Sequence, residues 1–295
     1  MSVDAVADME AGTSPTRETL ARLLRHRSFV IGAAFMLLMA IIAAGADWLA
    51  PFDPLRNNFR MRLHAPDAIN WFGTDHFGRD IMSRMMFGAR TSLMIGAMVV
   101  VATGICGTII GATAGYFSRL DQPLMRLMDA LMAFPSIVLA MVVSATLGAS
   151  VTNVVIALSI ATTPHTARIV RASVLVGREL DYVEAARALG AGDMRILFRH
   201  VLINSLGPLI VRLTYVFAIA ILAEAALSFV GAGPPPPAPT FGSIIAQGRD
   251  FMREAAWITI FPGLAIMACV LGLNLLGDGL RDVLDPRIRR AGARR

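Results

Sequence analysis

Lysine is absent from the 295 residues, and all 27 basic side chains are arginine. The phosphate-binding loop GxxxxGK[ST] depends on its lysine, so no such nucleotide site can be built from this chain. Cysteine occurs only at Cys106 and Cys269, each inside an apolar run, with no CxxC and no histidine close in sequence. That excludes a disulfide framework and leaves both as packing residues. Charge is scarce as well, at 16% of residues against 56% hydrophobic, and mean hydropathy is +0.62. Soluble domains average about 25% charged and 45–50% apolar. A disordered chain and most soluble enzymes are therefore excluded.

What the chain does have is long apolar blocks. A transmembrane helix needs about 20 apolar residues, and six blocks approach that length: Phe29–Ala50, Ser92–Tyr116, Pro123–Leu147, Val151–Val174, Leu206–Val230 and Ala256–Leu280. The fourth is the weakest, because Pro164, His165, Arg168 and Arg171 interrupt its second half. In the second, Gly107, Gly111 and Gly115 repeat every four residues on one helical face and permit close helix approach. Ala44-Gly45-Ala46 has the small-x-small form of a signal-peptide cleavage site. The apolar stretch before it is long, however, and the polar tail of residues 1–28 exceeds a usual n-region, which favours a retained helix.

Net charge is +6. The arginines flank apolar blocks and form no separate basic domain, so membrane topology accounts for the excess better than nucleic-acid binding. With the N-terminus inside, and with Arg126, Arg168 and Arg171 counted at the inner ends of their blocks and Arg212 left out, the inner side holds 18 arginines and the outer one eight. The positive-inside rule then places both termini in the cytoplasm. The expected organisation is a cytoplasmic tail (1–28), a first transmembrane helix (29–50) and an extracytoplasmic segment with an amphipathic helix (51–91). A five-helix core (92–280) with a cytoplasmic loop (175–205) and a cytoplasmic tail (281–295) complete it.

The loop between the fourth and fifth blocks is the most informative. Asp181 and Glu184 have capping-box spacing, with Asp in the place of Ser or Thr, and Gly190 supplies a left-handed stop. The helix between them is about two turns long. One side carries Tyr182, Ala185, Ala186 and Leu189; Glu184 and Arg187 are polar. Asp193 is placed to cap a second short helix over 194–202. Helices this short are unstable alone in water. The first packs on its own bundle or serves as a docking knob for a cytoplasmic partner.

Three other stretches stand out: Gly73-Thr74-Asp75-His76-Phe77-Gly78-Arg79-Asp80 running on to Leu93; Glu224 to Gly233 with the prolines that follow; and Asn274-Leu275-Leu276-Gly277-Asp278 running on to Asp285-Pro286-Arg287. In the first, Asp75/Arg79 and Asp80/Arg84 stand at i,i+4 beside an apolar stripe of Phe77, Ile81 and Met85, the pattern of a short amphipathic helix on the membrane surface. Such a helix either covers the bundle or takes part in gating. Glu224 lies near the outer end of an apolar block, where an ionisable group must face protein or water. A structural hydrogen bond to the outer loop is favoured over substrate contact. Pro234–Pro237 favour an extended rod. His165 has no second ligand at metal spacing, and Ser159 lies on nearly the opposite face of its helix, so neither a metal site nor a Ser/His hydrolase is supported.

Glu184-Ala185-Ala186 with Gly190 four positions on resembles the EAA motif of ABC-importer permeases. Taken with the three stretches, the chain is similar over residues 20–290 to the OppC/DppC-type permease subunits of oligopeptide, dipeptide and nickel importers. Leu202-Ile203 departs from the family's Leu-Pro. The resemblance implies an all-α membrane protein with the type I ABC-importer fold, in the inner membrane of a bacterium. It would be a pore-forming subunit without catalytic or metal residues, in which Asp181–Gly190 couples to two separate ATPase subunits that carry ATP and magnesium. A second permease, forming a heterodimer, and an extracytoplasmic binding protein complete the expected partners. Di- or oligopeptides are the expected cargo, with nickel or another small solute as the alternative. A stand-alone secondary transporter fits less well, because no internal repeat and no mid-membrane acid other than the off-centre Glu224 is present.

Overall fold

The computed structural model describes residues 15–284, so the Asp285-Pro286-Arg287 motif, the rest of the C-terminal tail and the first fourteen residues lie outside it. Every element in the described residues is helical. α1 (Pro15–Arg25) leads into α2 (Arg27–Ala44), and a short α3 (Ala46–Leu49) follows a break at Gly45. The core is α4 (Ile81–Tyr116), α5 (Ser118–Met132), α6 (Ser136–Leu147) and α7 (Val151–Gly177). Two short helices, α8 (Asp181–Ala188) and α9 (Asp193–Ile196), precede α10 (Leu202–Phe229), α11 (Phe241–Gly248) and α12 (Trp257–Leu284).

By length and composition, four helical stretches among the described residues can cross a bilayer: α2, α4, the continuous Asp193–Phe229 and α12. The third expected block is not a straight span. α5 and α6 meet at 89° across a break at Ala133–Pro135, and as one bent unit they make a fifth. Pro135 cannot donate to the preceding turn and disfavours helix at Phe134, which explains the break.

α7 is 27 residues long but too polar to count with them. It is instead the helix most enclosed by protein. It lies along α4 and also touches α6 and α10. Ala157, Leu158, Ala161, Ala167, Val170 and Val174 are buried. Its threonines satisfy themselves within the helix: the hydroxyls of Thr162 and Thr163 donate to the carbonyls of Leu158 (2.8 Å) and Ser159 (2.7 Å). Thr162 also meets Thr103 of α4 at 2.7 Å. A helix wrapped by neighbours does not have to match lipid, and so its composition can be mixed.

The glycine face of α4 makes that wrapping possible. Gly107, Gly111 and Gly115 face Thr166, Ala167, Val170 and Val174. A Cβ on Gly111 would stand 2.4 Å from the carbonyl oxygen of Ala167, closer than any packed carbon tolerates.

The helix ends sort into two groups. At one end His26 Nε2 approaches the Asp282 carboxylate at 3.3 Å, the Tyr116 hydroxyl donates to Asp193 (2.7 Å) and Arg178 donates to the Gly115 carbonyl (3.0 Å). At the other end Arg90 pairs with Asp47 (2.8 Å) and Trp257 Nε1 donates to the Thr74 carbonyl (3.1 Å).

Gly111→Val should push α4 away from α7. Overpacking of this kind costs about 1–3 kcal/mol, and thermal unfolding in detergent should register it as a lowered midpoint. Gly263→Ala in α12, where an added Cβ meets nothing within 4 Å, should leave the midpoint unchanged.

Candidate functional site

The loop helix α8 is anchored by one side chain. Val183 is fully buried among Val170 and Val174 of α7 and Ile196, Leu197 and Val201. The remainder of the helix stays open. Tyr182, Ala185 and Leu189, at i, i+3 and i+7, form an exposed strip, and Leu189 is 88% exposed. Ala186 is half-buried, so the small face divides between partner-free surface and the bundle. Tyr182 is tied down by its hydroxyl, which accepts from Asn204 Nδ2 (2.6 Å) and donates to the His200 carbonyl (3.2 Å).

Gly190 stops the helix as expected, at φ +83°. Its N–H donates to the Arg187 carbonyl (2.9 Å) and that of Ala191 to the Ala186 carbonyl (3.1 Å), which together make a Schellman ending. The capping box is not formed. Leu180 occupies the N-cap, no side chain caps the helix, and Asp181 is its first residue. Asp181 and Glu184 both fall in the first turn, where the helix dipole favours acids without a specific bond. The second short helix also differs from expectation. Gly192, not Asp193, holds its N-cap, and α9 runs through a π-turn (Leu197–Val201) straight into α10. Pro208 lies inside α10 and does not end it. Beside α8 is a cleft walled by Arg119, Arg178, Glu184 and Arg187.

A second constellation gathers at the opposite end. The surface helix expected around Asp75–Arg84 does not exist. Residues 73–80 form a tight loop closed by a bridge between Thr74 and Asp80, and Gly78 takes φ +73° with the Asn58 backbone against it. α4 begins at Ile81, eleven residues earlier than the apolar run, because Asp80 caps it by accepting from the Ser83 N–H (2.7 Å). Asp80 therefore does not pair with Arg84. Instead Asp75, fully buried, accepts from Arg79 Nε (2.7 Å) and Arg84 Nη1 (2.5 Å). Gln247 of α11 accepts from the same two arginines at 2.8 and 3.0 Å. Sequence spacing had no signal for Gln247, which is 163 residues from Arg84. Beside this group His76 lies against Phe77 and Phe251, and burial holds its pKa below the usual value.

Glu224 is fully buried and accepts from the hydroxyls of Ser228 (2.7 Å) and Ser92 (3.3 Å). Ser92 Oγ in turn accepts from the Phe241 N–H (3.2 Å) at the start of α11. The carboxylate thus joins α4, α10 and the start of α11 through the Ser92 hydroxyl. The proline run beyond it is interrupted by a turn at Pro236 and Pro237 and is not a continuous rod.

The comparisons with known proteins fit this geometry. The profile of the family described as binding-protein-dependent transport system inner membrane component matches residues 104–290. That described as the N-terminal TM domain of oligopeptide transport permease C matches residues 14–66. The chain belongs to the first of these families: it is a multi-pass bacterial membrane permease of an ABC importer, of the OppC/DppC type. A putative peptide transport system permease protein of Brucella abortus is 53% identical over 283 residues, 96% of each chain. The dipeptide transport system permease protein DppC of Escherichia coli is 43% identical over 284 residues, 94% of each. A glutathione transport system permease protein of Pectobacterium atrosepticum is 42% identical over 278 residues, 94% of this chain and 92% of its own. The inward-facing MetNI methionine ABC transporter shares the fold, with a TM-score of 0.57 at 18% identity over 70% of this chain and 96% of that one.

Asp75→Ala should leave the buried Arg84 and the part-buried Arg79 on one amide oxygen, and breaking a buried ion pair costs about 3–5 kcal/mol. Asp80→Ala removes only a cap, about 1 kcal/mol. Thermal unfolding of the two variants should reproduce that order; equal losses would mean that Asp75 is not the centre of the network.

Proposed function

We propose that this chain is one half of a heterodimeric pore that moves di- or oligopeptides into the cytoplasm. It crosses the membrane six times, through α2, α4, the bent α5–α6 pair, α7, the continuous α9–α10 helix and α12, with both termini in the cytoplasm. The two groups of helix ends support this count, because the chain alternates between them at each crossing. The excess of arginine at the α8 end supports its cytoplasmic placement. The peptide cargo is supported by the names that the relatives carry. The chain does no chemistry itself; ATP and magnesium belong to two partner ATPase subunits, and a binding protein delivers substrate to the opposite face.

In this reading α8 is the coupling element. Its exposed strip of Tyr182, Ala185 and Leu189 docks on the ATPase, with Asp181, Glu184 and Arg187 around it and Ala186 at its inner edge. Val183 carries the movement into α7. The observation that carries the reading is a two-turn helix held by one buried residue, with a large apolar side chain left open at its end. Such a surface is completed by a partner. The network of Asp75, Arg79, Arg84 and Gln247, together with Asp80 and Glu224, supports the outer segment that faces the binding protein.

Ala185→Trp and Leu189→Asp alter exposed positions, where substitutions usually stay within about 0.5 kcal/mol in stability. Both variants should insert and fold normally yet fail to co-purify with the ATPase or to support binding-protein-stimulated hydrolysis. Gly190→Val, strained at positive φ, should impair the same stimulation. Normal assembly and stimulation in all three would rule α8 out as the coupling element. For topology, a cysteine placed at the exposed Asn57 in a Cys106→Ala background should react with an impermeant thiol reagent in intact cells. Labelling only after lysis would reverse the orientation.

A further inference from the structure

We infer that the cleft between α7, α10 and α12 binds the phosphate of one anionic phospholipid of the inner leaflet. The cleft has a volume of about 550 Å³. Arg212 and Tyr215 of α10 and Arg281 of α12 line its polar part; Ile169 of α7, Val211 and Leu284 line its apolar part. Neither arginine forms an ion pair among the described residues. Arg212 Nε is buried without any hydrogen-bond partner. Asp278, three residues before Arg281 in α12, accepts from the Tyr215 hydroxyl instead. Asp282, next to Arg281, faces His26.

Arg212 is half-buried, with its Nε shut off from water and unpartnered among the described residues, and an unpaired guanidinium in a membrane helix is costly and favours an anion beside it. Two planar donor forks suit phosphate oxygens. The depth fits a headgroup. Arg281 adjoins Asp282, whose partner His26 immediately precedes α2, so the two arginines lie near the level at which a span begins. Basic pockets between transmembrane helices on the cytoplasmic side are where anionic headgroups bind. The apolar wall gives an acyl chain a surface that a free anion would leave empty. The ligand class is therefore an amphiphile with an anionic phosphate. The inference goes beyond the transport reading and uses from it only the orientation.

The test uses the full-chain permease purified with its partner subunits in detergent. Native mass spectrometry reads retained lipid after addition of dioleoyl phosphatidylglycerol, dioleoyl phosphatidylcholine, inorganic phosphate or the dipeptide Ala-Ala. Phosphatidylglycerol should be retained at one more copy in the wild type than in Arg212→Gln/Arg281→Gln, with an apparent affinity about tenfold lower in the variant, as expected for a lost charge-assisted contact. Arg212→Lys should keep most of the binding, and Arg199→Gln, at an exposed position outside the cleft, should keep all of it. If the double variant does not assemble, Val211→Trp, which fills the apolar wall, should displace the lipid. Equal retention in wild type and cleft variants would overturn the inference. So would equal affinity for phosphatidylcholine, or protection by inorganic phosphate or Ala-Ala without lipid.

Discussion

The arrangement of the molecule depends on sheltering α7. This helix carries Asn153, Pro164, His165, Arg168 and Arg171 among its apolar residues, a composition that lipid would not accept around its whole circumference. The protein answers with contact on several sides, and the closest is the seam with α4. Backbone-to-backbone approach at Gly111 excludes lipid from that side and lets short hydroxyls, such as the Thr103–Thr162 pair, close the gap. The arginines on the remaining side are covered by acids of α5: Arg171 binds Asp121 through two nitrogens at 2.5 Å each, and Arg168 binds Asp129. Because α5 turns away at 89° before α6, it can lay these acids along α7 and still leave α6 to reach the far end.

The same helix links the ends of the bundle. The cluster that receives Val183 is built from the last turns of α7 and the first turns of the α9–α10 helix. Tyr116 and Arg178 fasten the adjacent end of α4 to the same region. α8 is therefore packed directly on the ends of α7 and α10, beside the fastened end of α4. At the opposite end α4 and α10 reach α11 through Ser92, Glu224 and Arg84. The contacts form one continuous packed route from the loop helix to the Asp75–Gln247 network at the opposite end.

Several features were legible in the residues. The apolar blocks marked α2, α4, α10 and α12, since each presents an unbroken hydrophobic surface to lipid. Gly190 as a left-handed stop and the small-residue face of α4 were readable because each is a local steric requirement. The errors share a cause. The Asp75–Arg79 pair forms as its spacing suggests, but Asp80 and Arg84 do not pair, and spacing cannot report that Gly78 turns the backbone or that Gln247 waits 163 residues away. Asp181 and Asp193 looked like caps because caps are short-range, yet the position of the first helical turn was decided by Val183 and Ile196 entering the core.

The sequence by itself determined that this protein lives in a membrane, which segments are apolar enough to cross it, which family it resembles and where its exposed loop helix lies. These follow from transfer free energies and from backbone sterics within a few residues, both of which are properties of local composition. Only the tertiary structure decided that α7 is admitted by wrapping rather than by hydrophobicity, that one carboxylate serves two arginines, and that Arg212 and Arg281 face a common cleft. Those outcomes depend on which side chains meet across the bundle, and such pairings are fixed by packing between helices that are distant along the chain.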